Sequence, residues 1–348
     1  MNRIKLQPTV DQRISMLHSL QESLLNDAAH WEPFIEKAYT QNQWFTPENC
    51  RQALAAIARC LLDTKSLKSW IATYHLPEKP KKVGLIMAGN IPLVGFADWL
   101  AVFICGHTAL VKLSSKDEVL FPTILQFLES AFPDYDFRTE IMERLSGYDA
   151  LIATGSNNSA QYFEQYFNNV PHIIRRNRTS VAVLHGDESE MELKALWHDI
   201  ADYFGLGCRN VSFLLVPQDY RLEHLPEIWE VMDGNQNHHK YRNNYDYNLA
   251  INLLNKFNFL QSEQILLIES AQLYSRIASV HFQRYSDINA AMQFIESHTD
   301  EIQCVISTKE IAGIQCVAPG NAQCPGLSDY ADGVDTMAFL TTLDNEKD

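Results

Sequence analysis

From Val83 onward the chain alternates short, wholly apolar runs with longer amphipathic stretches, and few folds accept that pattern. Val83-Gly84-Leu85-Ile86-Met87-Ala88 is a continuous apolar run of strand length. Such a strand must be covered on both faces, the condition of a parallel sheet with helices on either side. The pattern then predicts a helix over 93–105, a strand at 109–112, a helix at 121–132, a strand at 150–153, a helix at 160–167 and a strand at 181–184. A second set follows: an acidic-starting helix over 187–204, a strand at 212–216, a helix at 222–231, strands at 264–268 and 279–284, a helix at 287–298 and a strand at 303–307. Leu17, Leu20 and Leu24, and then Leu54, Ile57 and Leu61, recur at helical spacing, predicting helices over 11–29 and 47–74. Thr46 and Pro47 read as N-cap and first residue of the second. The asparagine-rich stretch 233–247 reads as irregular. The expectation is an α/β chain of two doubly wound, mostly parallel domains.

At 348 residues the chain exceeds one simple core. Its 28 basic against 43 acidic residues give a formal charge of −15, which argues against nucleic-acid binding. Seven scattered cysteines, with no CxxC pair and no metal-ligand spacing, predict reduced thiols in a cytoplasmic protein without a metal, with Cys304, Cys316 and Cys324 read as buried. The first residues lack a signal-peptide core, and no run of 18 apolar residues predicts a membrane span.

Chemistry concentrates at four places. Gly205-Leu206-Gly207-Cys208 sets two glycines before a cysteine, where the backbone can approach a ligand closely. Cys208 reads either as a nucleophile or as a small buried apolar residue. Gly89-Asn90-Ile91-Pro92, Val111-Lys112-Leu113-Ser114-Ser115 and Thr154-Gly155-Ser156 each follow a predicted strand, where open α/β sheets bind ligands. None is a GxGxxG turn; a helix N-terminus near Ser156 is suited to phosphate. Arg175, Arg176 and Arg178 form a basic run that suits phosphate as well as a solvated surface. His185, His238 and His239 read as surface-loop or structural histidines rather than as ligands or bases, because no companion spacing accompanies them.

In this order, Asn90, Lys112, Thr154-Gly155-Ser156 and Gly205-x-x-Cys208 resemble the motifs of the aldehyde dehydrogenase superfamily over roughly residues 80–310. The resemblance implies an aldehyde-dehydrogenase-like fold with the active site between its two domains. It places an NAD(P)-binding domain with the N-terminal helices at 1–185, a catalytic domain carrying Cys208 at 186–318, and a return segment and tail at 319–348. It implies Cys208 as nucleophile, Asn90 and the Cys208 N–H as oxyanion donors, and Lys112, Ser115, Thr154, Gly155 and Ser156 at the cofactor. Independently of the resemblance, the basic run Arg175, Arg176 and Arg178 offers candidates for substrate or cofactor phosphates.

The departures narrow the chemistry. Where the superfamily carries a water-activating glutamate, roughly 33 residues before the cysteine, this chain reads Arg175-Arg176-Asn177-Arg178-Thr179-Ser180-Val181, without a carboxylate. The ribose-binding glutamate of Lys-Pro-x-Glu is Ser115, which leaves room for a 2′-phosphate. The later Glu-x-Phe-Gly-Pro motif has no clear match. Loss of the deacylating base is similar to the acyl-CoA reductase branch, which includes the fatty-acid reductase of bacterial bioluminescence. The implied reaction is reduction of an acyl-CoA, or another activated acyl group, to an aldehyde with NADPH, or NADH in its place. The alternatives are a hydrolytic aldehyde dehydrogenase, an acyl-phosphate reductase and a non-catalytic binding relative. The fold also implies assembly, as a homo-oligomer or with an acyl-transfer partner protein.

Overall fold

The computed structural model describes residues 5–155, 157–232 and 234–343. The chain divides into two compact units. One runs to Asn177 and resumes at Cys324; the other is Arg178–Gln323.

The first unit begins with four helices, α1 (Val10–Asn26), α2 (Ala28–Gln41), α3 (Pro47–Ala56) and α4 (Thr64–Ile71). The single helix expected over 11–29 breaks because Asp27 leaves helical geometry and caps α2 at the His30 N–H. The one expected over 47–74 breaks where Asp63 accepts the Ser66 N–H at 2.8 Å and starts α4 afresh. Beyond them lie β1 (Lys82–Ile86), α5 (Phe96–Cys105), β2 (Thr108–Lys112), α6 (Leu120–Ala131), β3 (Thr139–Ile141), β4 (Ala150–Thr154), α7 (Asn157–Phe167) and β5 (His172–Arg175). The five strands form one parallel sheet in the order β3-β2-β1-β4-β5. Val83, in β1, faces Ala109 on one side and Ala150 on the other. Trp99 of α5 is fully buried, stacked on Phe103 at 5.2 Å and edge-on to Phe121 at 5.6 Å. Such aromatic pairs add about 0.5–1.5 kcal/mol each beyond area burial.

The second unit contains β6 (Thr179–Val183), α8 (Glu190–Ala201), β7 (Val211–Pro217), α9 (His224–Glu230), α10 (His239–Asn255), β8 (Phe259–Gln261), β9 (Leu266–Glu269), β10 (Ser279–Tyr285), α11 (Ile288–Ser297), β11 (Ile302–Ser307) and β12 (Cys316–Val317). Its sheet order is β12-β11-β6-β7-β10-β9-β8, parallel except for β8. A division at 185/186 would leave β6 in the first domain, yet β6 pairs with β7 and β11 and so belongs to this sheet. Central β7 alternates between two cores. Leu214 and Val216 pack with Trp197 and Trp229; Phe213 and Leu215 pack with Ile295 and Ile302. That is the doubly wound arrangement. The stretch expected to be irregular instead forms much of α10.

The chain then returns to the first unit as α12 (Thr336–Thr342). A disulfide joins Cys324 to Cys60, with Cα atoms 6.0 Å apart, so the expectation of seven thiols is corrected at this pair. No helix among the described residues is long and apolar enough to cross a membrane, and those residues contain no cluster suited to a metal ion.

Candidate active site

In the first unit the strand-end motifs gather on one edge of the sheet. β2, β1 and β4 are neighbours, and Lys112, the turn after β1 and Thr154-Gly155 all lie at their carboxyl ends. Asn90 is exposed in the first turn. That turn is tightly set. A Cβ on Gly89 would fall 2.6 Å from the Ser114 hydroxyl, and one on Gly95 2.3 Å from Met87 Cγ. Leu93 sits in the left-handed region at φ 61°, and its N–H donates to Asp117 Oδ2 at 2.8 Å. This is why α5 starts at Phe96 rather than at 93. Burial pushes the Asp117 carboxyl up to about 6. Lys112 is exposed, and its ammonium donates to the Glu143 carbonyl at 2.8 Å. Ser115 is exposed in the following turn. Thr154 closes β4, and the Gly155 N–H reaches the Arg175 carbonyl at 3.4 Å. Ser156 lies outside the described residues.

The three arginines do not act as one patch. Arg175 is buried, with its guanidinium 2.5 Å from Asp98 Oδ1, 2.9 Å from Thr336 Oγ1 and 2.9 Å from the Ala331 carbonyl. It is a core ion pair of the first unit, which corrects its reading as a phosphate ligand. Arg176 is exposed and paired with Glu164. Arg178 donates to the carbonyls of Thr299 and Ile302, each at 3.1 Å, tying the start of β11 to the loop before it.

In the second unit Cys208 is exposed, on the turn between α8 and β7. α8 opens with a reciprocal cap between Ser189 and Glu192 and ends at Ala201. Tyr203, Phe204 and Gly205 follow, all left-handed, at φ 53°, 60° and 72°. Glycine takes this conformation freely; for the other two it costs roughly 1–2 kcal/mol each. Both rings are buried, and Phe204 packs 4.4 Å from His238 between centroids. The turn is closed by Asn210, whose side chain accepts the Gly207 N–H at 2.8 Å and donates to the Asp202 carbonyl at 2.8 Å. The Cys208 carbonyl accepts from Ser180 Oγ at 3.1 Å, and the same hydroxyl lies 2.9 Å from Cys304 Sγ. Burial raises the Cys304 thiol to about 11, so it is protonated at neutral pH. Sequence reasoning found Cys208 but neither Ser180 nor Asn210, whose roles are visible only once β6 is set beside the turn. Of the histidines, His185 pairs with Ser307 Oγ at 2.9 Å, and His238 caps α10 at the Tyr241 N–H.

The sequence matches no protein-family model and no curated protein. Solved structures do resemble the chain, and aldehyde dehydrogenases are among them. Aldehyde dehydrogenase 21 from Physcomitrella patens, in complex with the product succinate, is 9% identical, with a TM-score of 0.69 over 96% of this chain and 84% of its own. The aldehyde dehydrogenase of Mycobacterium tuberculosis, complexed with NAD+, is 12% identical, with a TM-score of 0.60 over 88% and 75%. NADP-dependent glyceraldehyde-3-phosphate dehydrogenase from Bacillus halodurans, complexed with NADP, is 11% identical, with a TM-score of 0.58 over 89% and 78%. The chain therefore has the aldehyde dehydrogenase fold, with two α/β units.

Proposed function

We propose that this protein is an NADPH-dependent acyl-CoA reductase that makes an aldehyde through an acyl-cysteine on Cys208. The observation that carries the reading is the exposed thiol of Cys208 on a turn pinned from both sides, in a fold whose solved relatives are aldehyde dehydrogenases. Supporting it, the segment 175–181 holds no carboxylate to activate water. A trapped acyl group would be protected from hydrolysis by that absence.

The strand ends of the first unit suit a nicotinamide nucleotide. Lys112 and Ser115 offer an exposed ammonium and an exposed hydroxyl on one loop, and no acidic residue lies between them. Lys112 would hold ribose or phosphate oxygens, and Ser115 leaves space for a 2′-phosphate where a glutamate would repel it. Thr154 and Gly155 would line the pyrophosphate side.

Cys208 acts as thiolate, the reactive form. Its sulfur bonds to the acyl carbon while the carbon–sulfur bond to CoA breaks, and CoA leaves as a thiolate. Negative charge grows on the carbonyl oxygen, and the Cys208 N–H is the donor we propose for it. A nicotinamide nucleotide held at these strand ends would supply hydride, and with that hydride and one proton the acyl-cysteine on Cys208 would become a thiohemiacetal. Breaking its carbon–sulfur bond releases the aldehyde and returns the Cys208 thiol.

Mass spectrometry after incubation with acyl-CoAs of graded chain length tests the reading. The expected result is an acyl adduct on Cys208, absent in Cys208→Ala and discharged by NADPH with release of aldehyde. Oxidation of aldehyde to free acid without CoA would overturn it, and so would the absence of any adduct.

A further inference from the structure

We infer that Asn210 is the positioning residue of the Cys208 turn, an inference that rests on Cys208 being the nucleophile. Asn210 is buried, and its side chain uses both ends of the amide. Oδ1 accepts the Gly207 N–H at 2.8 Å. Nδ2 faces three carbonyls at the end of α8, at 3.1 Å from Asp199, 3.4 Å from Ile200 and 2.8 Å from Asp202. The Asn210 backbone N–H donates to the Gly207 carbonyl at 3.1 Å. Its own carbonyl accepts from the Ser180 N–H at 3.1 Å and the Thr179 hydroxyl at 3.3 Å. One residue thus ties the last turn of a helix, the peptide before the nucleophile and the neighbouring strand.

The segment needs that tie. The last carbonyls of a helix have no partner within it, and here the chain leaves α8 through three consecutive left-handed residues rather than a single glycine. The Asn210 amide collects the carbonyls that this exit strands and anchors Gly207 at the far end of the same turn. No other side chain of this length offers one acceptor and two donors on a single head. Aspartate keeps the acceptor but, when ionised, sets a negative charge against carbonyl oxygens. When protonated it again offers one donor and one acceptor. Its effect on the turn must therefore follow its own ionisation.

Asn210→Ala and Asn210→Asp, with amide hydrogen exchange and single-turnover acylation by an acyl-CoA, decide the matter. In Asn210→Ala, exchange across 203–209 is expected to rise at least tenfold while strands β6 and β7 stay protected. Acylation of Cys208 is expected to slow about a hundredfold, as a small misplacement of a reacting group does, with acyl-CoA affinity within threefold. In Asn210→Asp both quantities should return toward wild type as pH falls and the new carboxyl takes up its proton. This pH-dependent rescue also carries the test if the alanine variant fails to fold. Unchanged exchange over 203–209, or normal acylation on a loosened turn, overturns the inference. If wild type forms no acyl-cysteine, the proposed function fails, and exchange over 203–209 with its pH-dependent rescue still judges Asn210.

Discussion

The Arg175 guanidinium and the Asp98 carboxylate lie 2.5 Å apart, their side chains 4% and 15% exposed. Burial pushes the Asp98 carboxyl up while the arginine draws it down. Removing one member leaves the other charge buried without compensation. Arg175→Ala is expected to lower unfolding stability by about 3–5 kcal/mol in urea titration. Arg176→Ala, which breaks an exposed and solvent-screened pair with Glu164, should leave the urea midpoint nearly unchanged. Equal effects would refute the internal role given to Arg175.

The thiols should differ sharply toward iodoacetamide. Cys208 is exposed, whereas burial raises Cys50 and Cys105 to about 12 and Cys304 to about 11. Peptide mapping of the native protein is expected to find Cys208 alkylated at least tenfold faster than those three, a difference erased in denaturant. Cys304 reacting as fast as Cys208 would contradict the environment described for it.

Asp199 gives stability a defined pH dependence. It is fully buried and accepts the N–H groups of Gly320 at 2.6 Å and Ala322 at 3.0 Å, yet desolvation raises its carboxyl to about 6. The unfolded value is near 3.9, so the folded state holds the proton more tightly. Its contribution is complete below about pH 4 and is lost as pH rises through about 6. The stability advantage of wild type over Asp199→Asn should shrink by about 2–3 kcal/mol between pH 4 and 7. Asp117, also raised to about 6, adds a slope of the same sign that persists in that variant. A difference independent of pH would count against the raised carboxyl.

The proposed function puts cofactor preference in the loop after β2. Ser115→Glu sets a carboxylate where the 2′-phosphate is proposed to lie, and it should shift kcat/KM from NADPH toward NADH by at least tenfold. Lys112→Ala should raise KM for both nucleotides. A Ser115→Glu enzyme with unchanged preference would remove Ser115 from the nucleotide site.

Strands with two buried faces were legible because their apolar runs leave no alternative; β1, β2, β4 and β7 fall within two residues of expectation at either end. The three-residue β3 carried no such signal, since two of its residues are exposed. α10 was missed for a chemical reason. Its inner face is Tyr241, Tyr245, Asn248 and Asn252, polar groups paired to buried carbonyls, so no apolar period marks it. Among the site residues, Cys208 stood out by its glycines, whereas the separate fates of Arg175 and Arg178 depend on Asp98 and Thr299, far away in sequence. Spacing in the chain holds no record of such partners.

The return of the chain to its first unit has a consequence for synthesis. Arg175 meets Thr336, the His107 ring meets the Leu340 carbonyl at 3.1 Å, and Tyr74 donates to Asp335 at 2.8 Å. All three early residues leave the ribosome before the whole second unit, and their partners emerge only after it. At ordinary elongation rates the first unit waits on the order of ten seconds with these groups unmatched. The nascent chain thus completes its first unit last, when α12 docks, and a ribosome that stalls before Cys324 releases a protein whose second unit is whole and whose first is not.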